Sequence, residues 1–348
     1  MSDDNVNAGP APASPHAHIM QIMGSVQVAR ALSVVAELGI ADRLAERPMT
    51  AGTLAEILGV HAGSLYRLLR MLAGRGFFAE DEGGRFLLRA PAEPLLTRTQ
   101  RSLRDVVRLG WQDVMWASYG RLLDTLKSGE PGFKTAYGAD FFDYLARHPD
   151  LNRCFDAAMA VASAPENDSI ARSFDFGAYR SVVDVGGGTG GLLAALLIAF
   201  PNLEGVLFDQ PQVVADPAPL REAGVLGRAR IVPGDFFRSV PSGCDLYVMK
   251  RILHDWDDDA AIRILTRCRE AMDPRGRVLA AEAVLRPGNE PDPNKNLDVG
   301  MMVLTRGRER TAEDFGALYR RAGLRLVRVI ETPPPSTLSL IEGAIAED

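Results

Sequence analysis

Hydrophobic residues recur with helical spacing along the first part of the chain. Between residues 18 and 46 apolar positions return every three or four residues, which predicts an amphipathic helix. Two shorter helices follow, LAEIL with Thr53 as its predicted cap and LYRLLRMLAGRG with Ser64 as its predicted cap. FFAED and RFLLRA, on either side of Gly83-Gly84, predict a β-hairpin. Helix, turn, helix and hairpin together outline a winged helix.

The pattern stays helical to about residue 173 and then changes. Short runs rich in Val, Ile and Leu alternate with helical segments, which predicts a parallel sheet with helices on both faces. These runs are SVVDV, GVLFD, RARIVPGD, CDLYVMK and RVLAAEAVL. Two last runs, LRLVRVIE and TLSLIEGAI, predict a closing antiparallel hairpin. The class is α/β, divided into a disordered start (1–17), a winged helix (18–100), a helical segment (101–173) and an α/β domain (174–348).

Composition excludes several classes of protein. The chain has 348 residues, 47% hydrophobic and 24% charged, which is ordinary for a soluble globular protein. A net charge of −6 disfavours nucleic acid as the main partner. The polar first 15 residues lack the apolar region of a signal peptide, and the absence of any run of 18 apolar residues predicts no membrane helix. Three cysteines without a CxxC pair predict no zinc site and a cytoplasmic location.

A glycine-rich loop is the strongest local signal. The segment DVGGGTGG (184–191) follows a predicted strand and opens a helix, and glycines there let the backbone approach a ligand closely. Asp209 ends the next strand, where a carboxylate can accept both ribose hydroxyls of an adenosine cofactor. Spacing alone does not choose the cofactor, because Gly186, Gly188 and Gly191 also satisfy GxGxxG with an acid about 20 residues on. An NAD-dependent oxidoreductase therefore remains an alternative at this point.

Two more acidic residues fall at strand ends. Asp184 lies two residues before the first glycine, where its carboxylate can face a cationic ligand. After the third strand, Asp235 and Phe236 suit the amino edge and the ring face of an adenine. Asp184, Asp209 and Asp235 thus follow successive strands, at the edge where open sheets bind ligands. Three acids in register favour a binding site over three unrelated turn residues.

Together, DVGGGTG, the acid in LFDQP, GDFF and MKRILHDWDDD resemble class I S-adenosylmethionine-dependent O-methyltransferases. The closer resemblance is to the caffeate O-methyltransferase-like group, which includes many bacterial natural-product enzymes, and it runs from about residue 18 to the end. It implies a Rossmann-like, mostly parallel seven-stranded sheet and an N-terminal winged-helix domain that builds a homodimer. It also implies S-adenosyl-L-methionine as cofactor and a small hydroxylated aromatic molecule as substrate, with no nucleic acid or membrane partner.

The resemblance also assigns roles to individual residues. His254 matches the general base, and Glu282 and Glu309 match the two acids that flank it. The predicted cofactor residues, added to Asp184, are Gly186, Gly188, Asp209, Asp235, Phe236, Lys250 and Trp256. Met159 and Met302 match residues that form the walls of the substrate pocket. Asp255 is also expected at this pocket, where it either orients His254 or leads into the following helix. No metal is expected.

These residue types suit methyl transfer to oxygen. A phenol has a pKa near 10, so only about one molecule in a thousand is ionised at pH 7. A general base is therefore useful, and an imidazole titrates close to working pH. Glu282 and Glu309 could hold the imidazole ring and favour the imidazolium that forms.

Some features of the sequence leave alternatives open. The related enzymes often have Gly-Gly ahead of the ERT segment, where this chain reads Thr305-Arg306-Gly307-Arg308, so the shape of the pocket is open. Some relatives have lost methyl transfer and perform other chemistry on the same scaffold. A winged helix can also bind DNA, and residues 61–110 hold nine Arg against five acids. The many leucines around Arg67 and Arg70 predict that much of this helix is buried, which disfavours DNA binding.

Overall fold

The computed structural model describes residues 14–99 and 102–346, which form two compact units that meet in sequence at Gln112 and Asp113. The first unit is mainly helical and contains a small sheet in the order β1-β3-β2. Its elements are α1 (Pro15–Leu38), α2 (Ile40–Glu46), β1 (Met49–Thr50), α3 (Ala51–Leu58), α4 (Ala62–Ala73), β2 (Phe78–Glu80), β3 (Arg85–Leu88) and α5 (Arg104–Gly110).

The first unit has the predicted winged-helix outline. Helices α3 and α4 are followed by the antiparallel pair β2 and β3, with Gly84 in the turn at a φ of 70°. Strand β1, which hydrophobic spacing does not reveal, pairs with β3 through Met49 and Phe86. Leu54, Leu69 and Phe86 are fully buried in the core of this unit.

Both predicted helix caps in this unit were wrong. Helix α3 begins at Ala51, because the side chain of Thr50 accepts a hydrogen bond from the backbone N–H of Thr53 at 3.1 Å. Helix α4 is capped by His61, whose Nδ1 accepts from the backbone N–H of Ser64 at 3.2 Å. An N-cap side chain accepts from a residue two or three positions later. Thr53 and Ser64 are these donors, and each helix starts earlier than predicted.

The first predicted helix is divided in two. Helix α1 starts at Pro15 rather than residue 18 and ends at Gly39, whose left-handed φ of 64° breaks the helix before α2. The prediction of disorder for residues 1–13 lies outside the described residues.

Much of α1 exposes apolar side chains, namely Ile19, Met20, Ile22, Met23 and Val26. By length and composition α1 passes the test for a membrane-crossing helix, which is weak evidence because core helices and signal sequences pass it too.

The second unit opens with a helical layer. Its elements are α6 (Asp113–Tyr119), α7 (Leu122–Ser128), α8 (Gly132–Tyr137), α9 (Phe141–Arg147) and α10 (Pro149–Ser173). Residues of α6, α8 and α9 pack on Val303 and Leu304 of α14 (Pro293–Leu304) around the fully buried Phe133. The predicted helical segment 101–173 is thus helical, although α5 belongs to the first unit. The functional division of the chain at residues 100 and 173 stays a prediction.

The rest of the second unit is the predicted α/β domain. Its strands are β4 (Ser181–Val185), β5 (Glu204–Asp209), β6 (Ala229–Pro233), β7 (Leu246–Lys250), β8 (Arg277–Glu282), β9 (Leu324–Glu331) and β10 (Ser339–Ile345). They form one sheet in the order β6-β5-β4-β7-β8-β10-β9. The pairs from β6 to β8 are parallel, and β10 is antiparallel to both β8 and β9, which confirms the closing hairpin.

Helices cover both faces of this sheet. Val182 and its strand neighbours pack on α10 and α11 (Gly191–Ala199), and the alternate residue Val183 faces α13 (Asp258–Ala271) and α15 (Ala312–Arg321). The remaining helices are α12 (Ala218–Glu222) and α14 (Pro293–Leu304). Because central strands are buried on both sides, they read as unbroken apolar runs in the sequence. The strand order reverses at β4, which places a crevice at the carboxyl ends of β4, β5 and β7.

We expect Leu69→Ala to destabilise the first unit by about 2–5 kcal/mol, because Leu69 is fully buried on α4 and its truncation leaves a cavity. The measurement is urea unfolding followed by circular dichroism. Ile57→Ala is the matched control, since Ile57 lies on the neighbouring helix with 48% of its surface exposed. Equal unfolding midpoints for the two variants would show that the apolar face of α4 is not a core.

Candidate active site

The predicted site residues follow the parallel strands at one edge of the sheet. Asp184 is the penultimate residue of β4, Asp209 ends β5, Lys250 ends β7 and Glu282 ends β8. Asp235 comes two residues after the end of β6. Because all five strands run in the same direction, their carboxyl ends meet at one edge. The fold therefore gathers residues that lie up to about a hundred positions apart in the chain.

The loop after β4 leaves open space for a ligand. Gly186, Gly188 and Gly190 have positive φ values of 69°, 60° and 93°, a region that favours glycine. A Cβ on Gly186 would lie 2.5 Å from the side chain of Ile252, whereas a Cβ on Gly188 would meet no atom within 4 Å. The backbone N–H of Gly188 donates to Asp209 at 2.9 Å. This bond ties the loop to the next strand and leaves the side of Gly188 free.

Asp184 is a buried carboxylate next to this loop. Burial raises its pKa to about 7, although the charge of Lys250 opposes the shift. Among the described residues its Oδ2 has no hydrogen-bond partner. Burial also lowers the pKa of Lys250 to about 8, and its Nζ donates to Asn167 of α10 at 2.5 Å. An unpartnered buried carboxylate oxygen near an open glycine loop fits a ligand that carries a cationic group.

Aromatic rings gather on the β6 side of the crevice. The Phe236 and Trp256 rings meet edge to face with centroids 6.1 Å apart, and Phe237 lies 4.7 Å from Trp256. Phe142 of α9 stacks on Trp256 at 5.8 Å. Asp235 is exposed and its carboxylate accepts the backbone N–H of Phe237 at 2.8 Å. The structure thus brings Phe236 and Trp256 together, with Asp235 at the solvent edge, and their contact with an adenine stays a prediction.

His254 lies in a short turn (Leu253–Asp255) directly after β7 and is buried. Its Nδ1 and Glu309 Oε1 are 2.7 Å apart. Burial alone would lower the pKa of His254, but the Asp255 charge, the hydrogen bond to Glu309 and the Glu282 charge raise it to about 9. Glu309 therefore orients the imidazole and, with its neighbours, stabilises the protonated ring.

Glu282 acts on the same turn in a different way from the one predicted. Its Oε1 accepts the backbone N–H groups of Ile252 at 2.9 Å and Leu253 at 2.7 Å. The carboxylate therefore holds the backbone of the turn rather than the imidazole, which it reaches only through its charge. Burial raises the pKa of Glu282 to about 7. Its Oε2 has no hydrogen-bond partner among the described residues.

The two alternatives for Asp255 can now be separated by geometry. Asp257, and not Asp255, caps α13, because its carboxylate accepts the backbone N–H of Ala260 at 2.8 Å. The Asp255 carboxylate lies 3.7 Å from Nε2 of His254. Burial raises the pKa of Asp255 to about 6. Asp255 therefore faces the ring atom that Glu309 does not engage.

The histidine and its two glutamates also have the geometry of a possible metal site. One ligand atom from each of His254, Glu282 and Glu309 lies within 4.8 Å of the other two. Two of the carboxylate oxygens are already used, one by the imidazole and one by backbone N–H groups. The expectation that no metal takes part stays a prediction.

The two predicted pocket methionines lie on helices of the second unit, and the segment 305–308 contacts the turn that carries His254. Met159 is on α10 with its side chain exposed, and Met302 is on α14 and half-buried. In the segment 305–308, Thr305 is buried and accepts the backbone N–H of Gly307 at 3.0 Å. A Cβ on Gly307 would collide with the backbone carbonyl of His254, whereas Arg306 is half-exposed and donates to Glu130 at 2.8 Å. Within this segment the structure accommodates the side chain of Arg306, whereas residue 307 must be glycine.

Sequence reasoning missed several polar residues that build the site. Glu166 and Asn167 on α10 bind Arg251 and Lys250, with Arg251 held by two hydrogen bonds of 2.6 and 3.1 Å. The adjacent Glu166 and Asn167 in PENDS could have suggested a polar site, but helical spacing does not show that their side chains point into the protein. Arg310 was also missed, although it is fully buried and stands inside the quoted ERT segment.

Comparison with known proteins agrees with this arrangement. An O-methyltransferase dimerisation domain matches residues 20–98, and an O-methyltransferase domain matches residues 119–325. The chain is 38% identical to phenazine O-methyltransferase of Lysobacter antibioticus, over 97% of this chain and 98% of that protein. The mitomycin 7-O-methyltransferase structure is 34% identical with a TM-score of 0.90, and covers 95% of this chain and 98% of its own.

A third similar structure shows the cofactor of the family. This O-methyltransferase from neocarzinostatin biosynthesis was solved with S-adenosyl-L-homocysteine and 1,4-dihydroxy-2-naphthoic acid. It is 33% identical with a TM-score of 0.81, and covers 91% of this chain and 96% of its own. The open glycine loop and the unpartnered Asp184 oxygen fit S-adenosyl-L-methionine, the methylated sulfonium form of this nucleoside. The chain belongs to the O-methyltransferase family and is an enzyme that uses S-adenosyl-L-methionine.

Proposed function

We propose that the enzyme methylates a hydroxyl group on a small aromatic natural product, with His254 as the general base. The observation that carries this proposal is the buried pair of His254 and Glu309, 2.7 Å apart, next to the ligand crevice. Glu309 engages Nδ1, which leaves Nε2 as the atom that takes a proton from the acceptor. A histidine with a purely structural role would not need three carboxylates close by.

The cofactor supplies, when bound, a methyl group on a sulfonium that is a very good leaving group. The chain's own residues bind and orient it. Asp184 balances the positive charge, and Gly186 and Gly188 let the backbone approach the methionine part. Asp209 uses two of its roughly four acceptor positions on backbone N–H groups and keeps the others for the ribose. Phe236, Trp256 and Asp235 complete the adenine side, and Lys250 lies beside the cofactor near Asp184.

The base has a defined task in this reaction. Orientation of two reactants can supply on the order of 7–11 kcal/mol, and proton removal by a placed base roughly a further 10²–10⁴-fold. The negative charges of Asp255, Glu282 and Glu309 make His254 a stronger base than a free imidazole, since they stabilise its protonated form. The same charges keep most His254 rings protonated at neutral pH, so only the neutral minority can accept a proton from the substrate.

The acceptor class follows from the pocket and from the relatives. Met159, Met302 and Asp255 would line the acceptor side, giving an apolar slot with one acid. The similar proteins act on a phenazine and on mitomycin, or were solved with a dihydroxynaphthoic acid. We therefore place the substrate among hydroxylated aromatic molecules and propose no nucleic acid or membrane partner.

We also propose a homodimer that works in the cytoplasm. The dimerisation-domain match and the exposed apolar residues of α1, among them Met20 and Met23, support a second copy as the partner. Cys244 and Cys268 are buried free thiols, which suits a reducing compartment.

We expect Asp209→Asn to weaken binding of S-adenosyl-L-homocysteine at least tenfold, because the charged acceptor for the ribose hydroxyls is lost. Asparagine still has an oxygen for the Gly188 N–H, so the loop should keep its shape. Isothermal titration calorimetry measures the affinity. Asp216→Asn is the control, since Asp216 is exposed and pairs only with the surface residue Arg221 in the contacts described. Undiminished affinity in the Asp209 variant would remove this residue from the cofactor site.

We expect kcat for a phenolic acceptor to rise about tenfold per pH unit and to level off near pH 9, the pKa of His254. The sign follows from the base: its pKa is raised, so the neutral form that accepts a proton is scarce below pH 9.

His254→Gln should lower kcat at pH 7 by roughly 10²–10⁴-fold. The rate that remains should follow the ionisation of the phenol itself. A variant within twofold of the parent at pH 7 would exclude the base role.

The proposed reaction is tested by mass spectrometry of an acceptor panel. Catechol, 1,4-dihydroxy-2-naphthoic acid, a hydroxyphenazine and an aromatic amine are each incubated with enzyme and S-adenosyl-L-methionine. We expect hydroxyl compounds to gain one methyl group, and the yield to be unchanged by EDTA. Methylation of the amine alone would contradict the assignment to oxygen. Cofactor binding without any methyl product would favour the alternative of a non-methylating enzyme on this scaffold.

A further inference from the structure

Arg310 is a fully buried arginine that touches neither the crevice nor its glycine loop in the contacts described. Its guanidinium donates to the backbone carbonyls of Leu253 at 2.7 Å and Trp256 at 2.8 Å. These two carbonyls stand on either side of His254 and Asp255. The side chain thus bridges both ends of the turn that carries the histidine.

We propose that Arg310 is a positioning residue, which clamps the turn 253–256 so that His254 stays on Glu309 with Nε2 directed to the acceptor. This inference rests on the proposed role of His254 as base. Arg310 does not contact substrate or cofactor, so it acts only through the position of the imidazole.

The neighbours of Arg310 support this role. Glu309, the preceding residue, engages the imidazole, so one short segment holds both the ring and the backbone of the same turn. That segment is itself fixed, because Leu285 N–H, just past β8, donates to the Arg310 carbonyl at 2.9 Å. Gly307 packs directly against the His254 carbonyl. Glu282 holds the two N–H groups that precede the histidine. The turn is therefore restrained on each side.

The charge of Arg310 is balanced by Asp258. One oxygen of this carboxylate accepts from Nε at 3.1 Å and from Nη2 at 2.8 Å. Asp258 also binds Arg308 at the surface, while Asp257 caps α13 and Asp259 pairs with Arg321. The three consecutive acids Asp257, Asp258 and Asp259 thus have different partners. Asp258 is the one that connects the start of α13 to the base.

The chemistry of the side chain explains why an arginine is used. A planar guanidinium presents five donors in a fixed fork and can bind two carbonyls and a carboxylate at once. A lysine ammonium is a point charge on a flexible stem and cannot reach all three with the same geometry. A buried ion pair is a weak source of stability, since replacing it with apolar residues of similar volume often leaves a protein equally stable. Geometry, and not stability, is what the guanidinium adds here.

The test measures the histidine directly and requires no acceptor. The enzyme is saturated with S-adenosyl-L-homocysteine, its histidines are labelled with ¹⁵N, and the pH titration of the His254 ring is followed by NMR. The chain has five histidines, so loss of one signal in His254→Gln assigns the resonance. We expect a pKa of about 9 in the parent, and a decrease of at least one unit in Arg310→Lys, because a displaced ring loses its contact with Glu309.

Two further variants make the result decisive. Asp258→Asn removes the anchor of the guanidinium at a partly exposed position, so it gives an answer even if Arg310→Lys does not fold. Arg321→Lys is the matched control, because it alters a neighbouring Arg–Asp pair on the same helix start and should titrate like the parent. A parental His254 titration in Asp258→Asn, or in a folded Arg310→Lys, overturns the proposal.

Kinetics separates this proposal from the proposed function. With any methyl acceptor from the panel, Arg310→Lys should lower kcat roughly 10–100-fold while KM stays within twofold, since misplacement by about 1 Å can cost 10²-fold. The double variant with His254→Gln should be no slower than His254→Gln alone, because both changes act through one group. If His254→Gln is fully active while the NMR shift in Arg310→Lys is present, the base role fails and the positioning role stands.

Discussion

The contact between His254 and Glu309 is the interaction around which the active site is organised. Both groups are buried, and their nearest atoms are 2.7 Å apart. Two charged groups in a dry site are costly unless they pair with good geometry. The protein meets this requirement by fixing the two partners separately, Glu309 through its own backbone and His254 through the backbone of its turn. Most of the polar contacts near the turn serve this one alignment.

The fold explains how distant residues come together. Five parallel strands end at one edge, and each delivers a side chain there, from Asp235 at one side to Glu282 at the other. The acids of β4 and β5 and the lysine of β7 then share one poorly hydrated space, so that the pKa of Asp184 rises while that of Lys250 falls. A cationic nucleoside would relieve the cost of that arrangement by giving Asp184 the partner it lacks.

Much of this could be predicted from sequence, because the relevant signals are periodic or local. Buried strands such as SVVDV read as unbroken apolar runs, and the glycine loop is a local backbone requirement. Helix caps were less predictable, since Thr50 and Thr53 have the same chemistry and only the backbone angles decide which one accepts. Contacts across the fold were the least predictable. The inward turn of Asn167 and the burial of Arg310 depend on neighbours dozens of residues away, for which composition carries no signal.

The contact between Gly307 and the His254 carbonyl also defines which positions of this loop can diverge. Arg306 lies in the segment where related enzymes often have Gly-Gly, and its side chain extends to the surface to bind Glu130. At Gly307 even a methyl group would occupy the space of a peptide carbonyl. Residue 306 can thus carry a charged side chain, whereas residue 307 must be glycine. Substitutions at residue 306 should therefore change the charge at the edge of the pocket without disturbing the turn that carries His254.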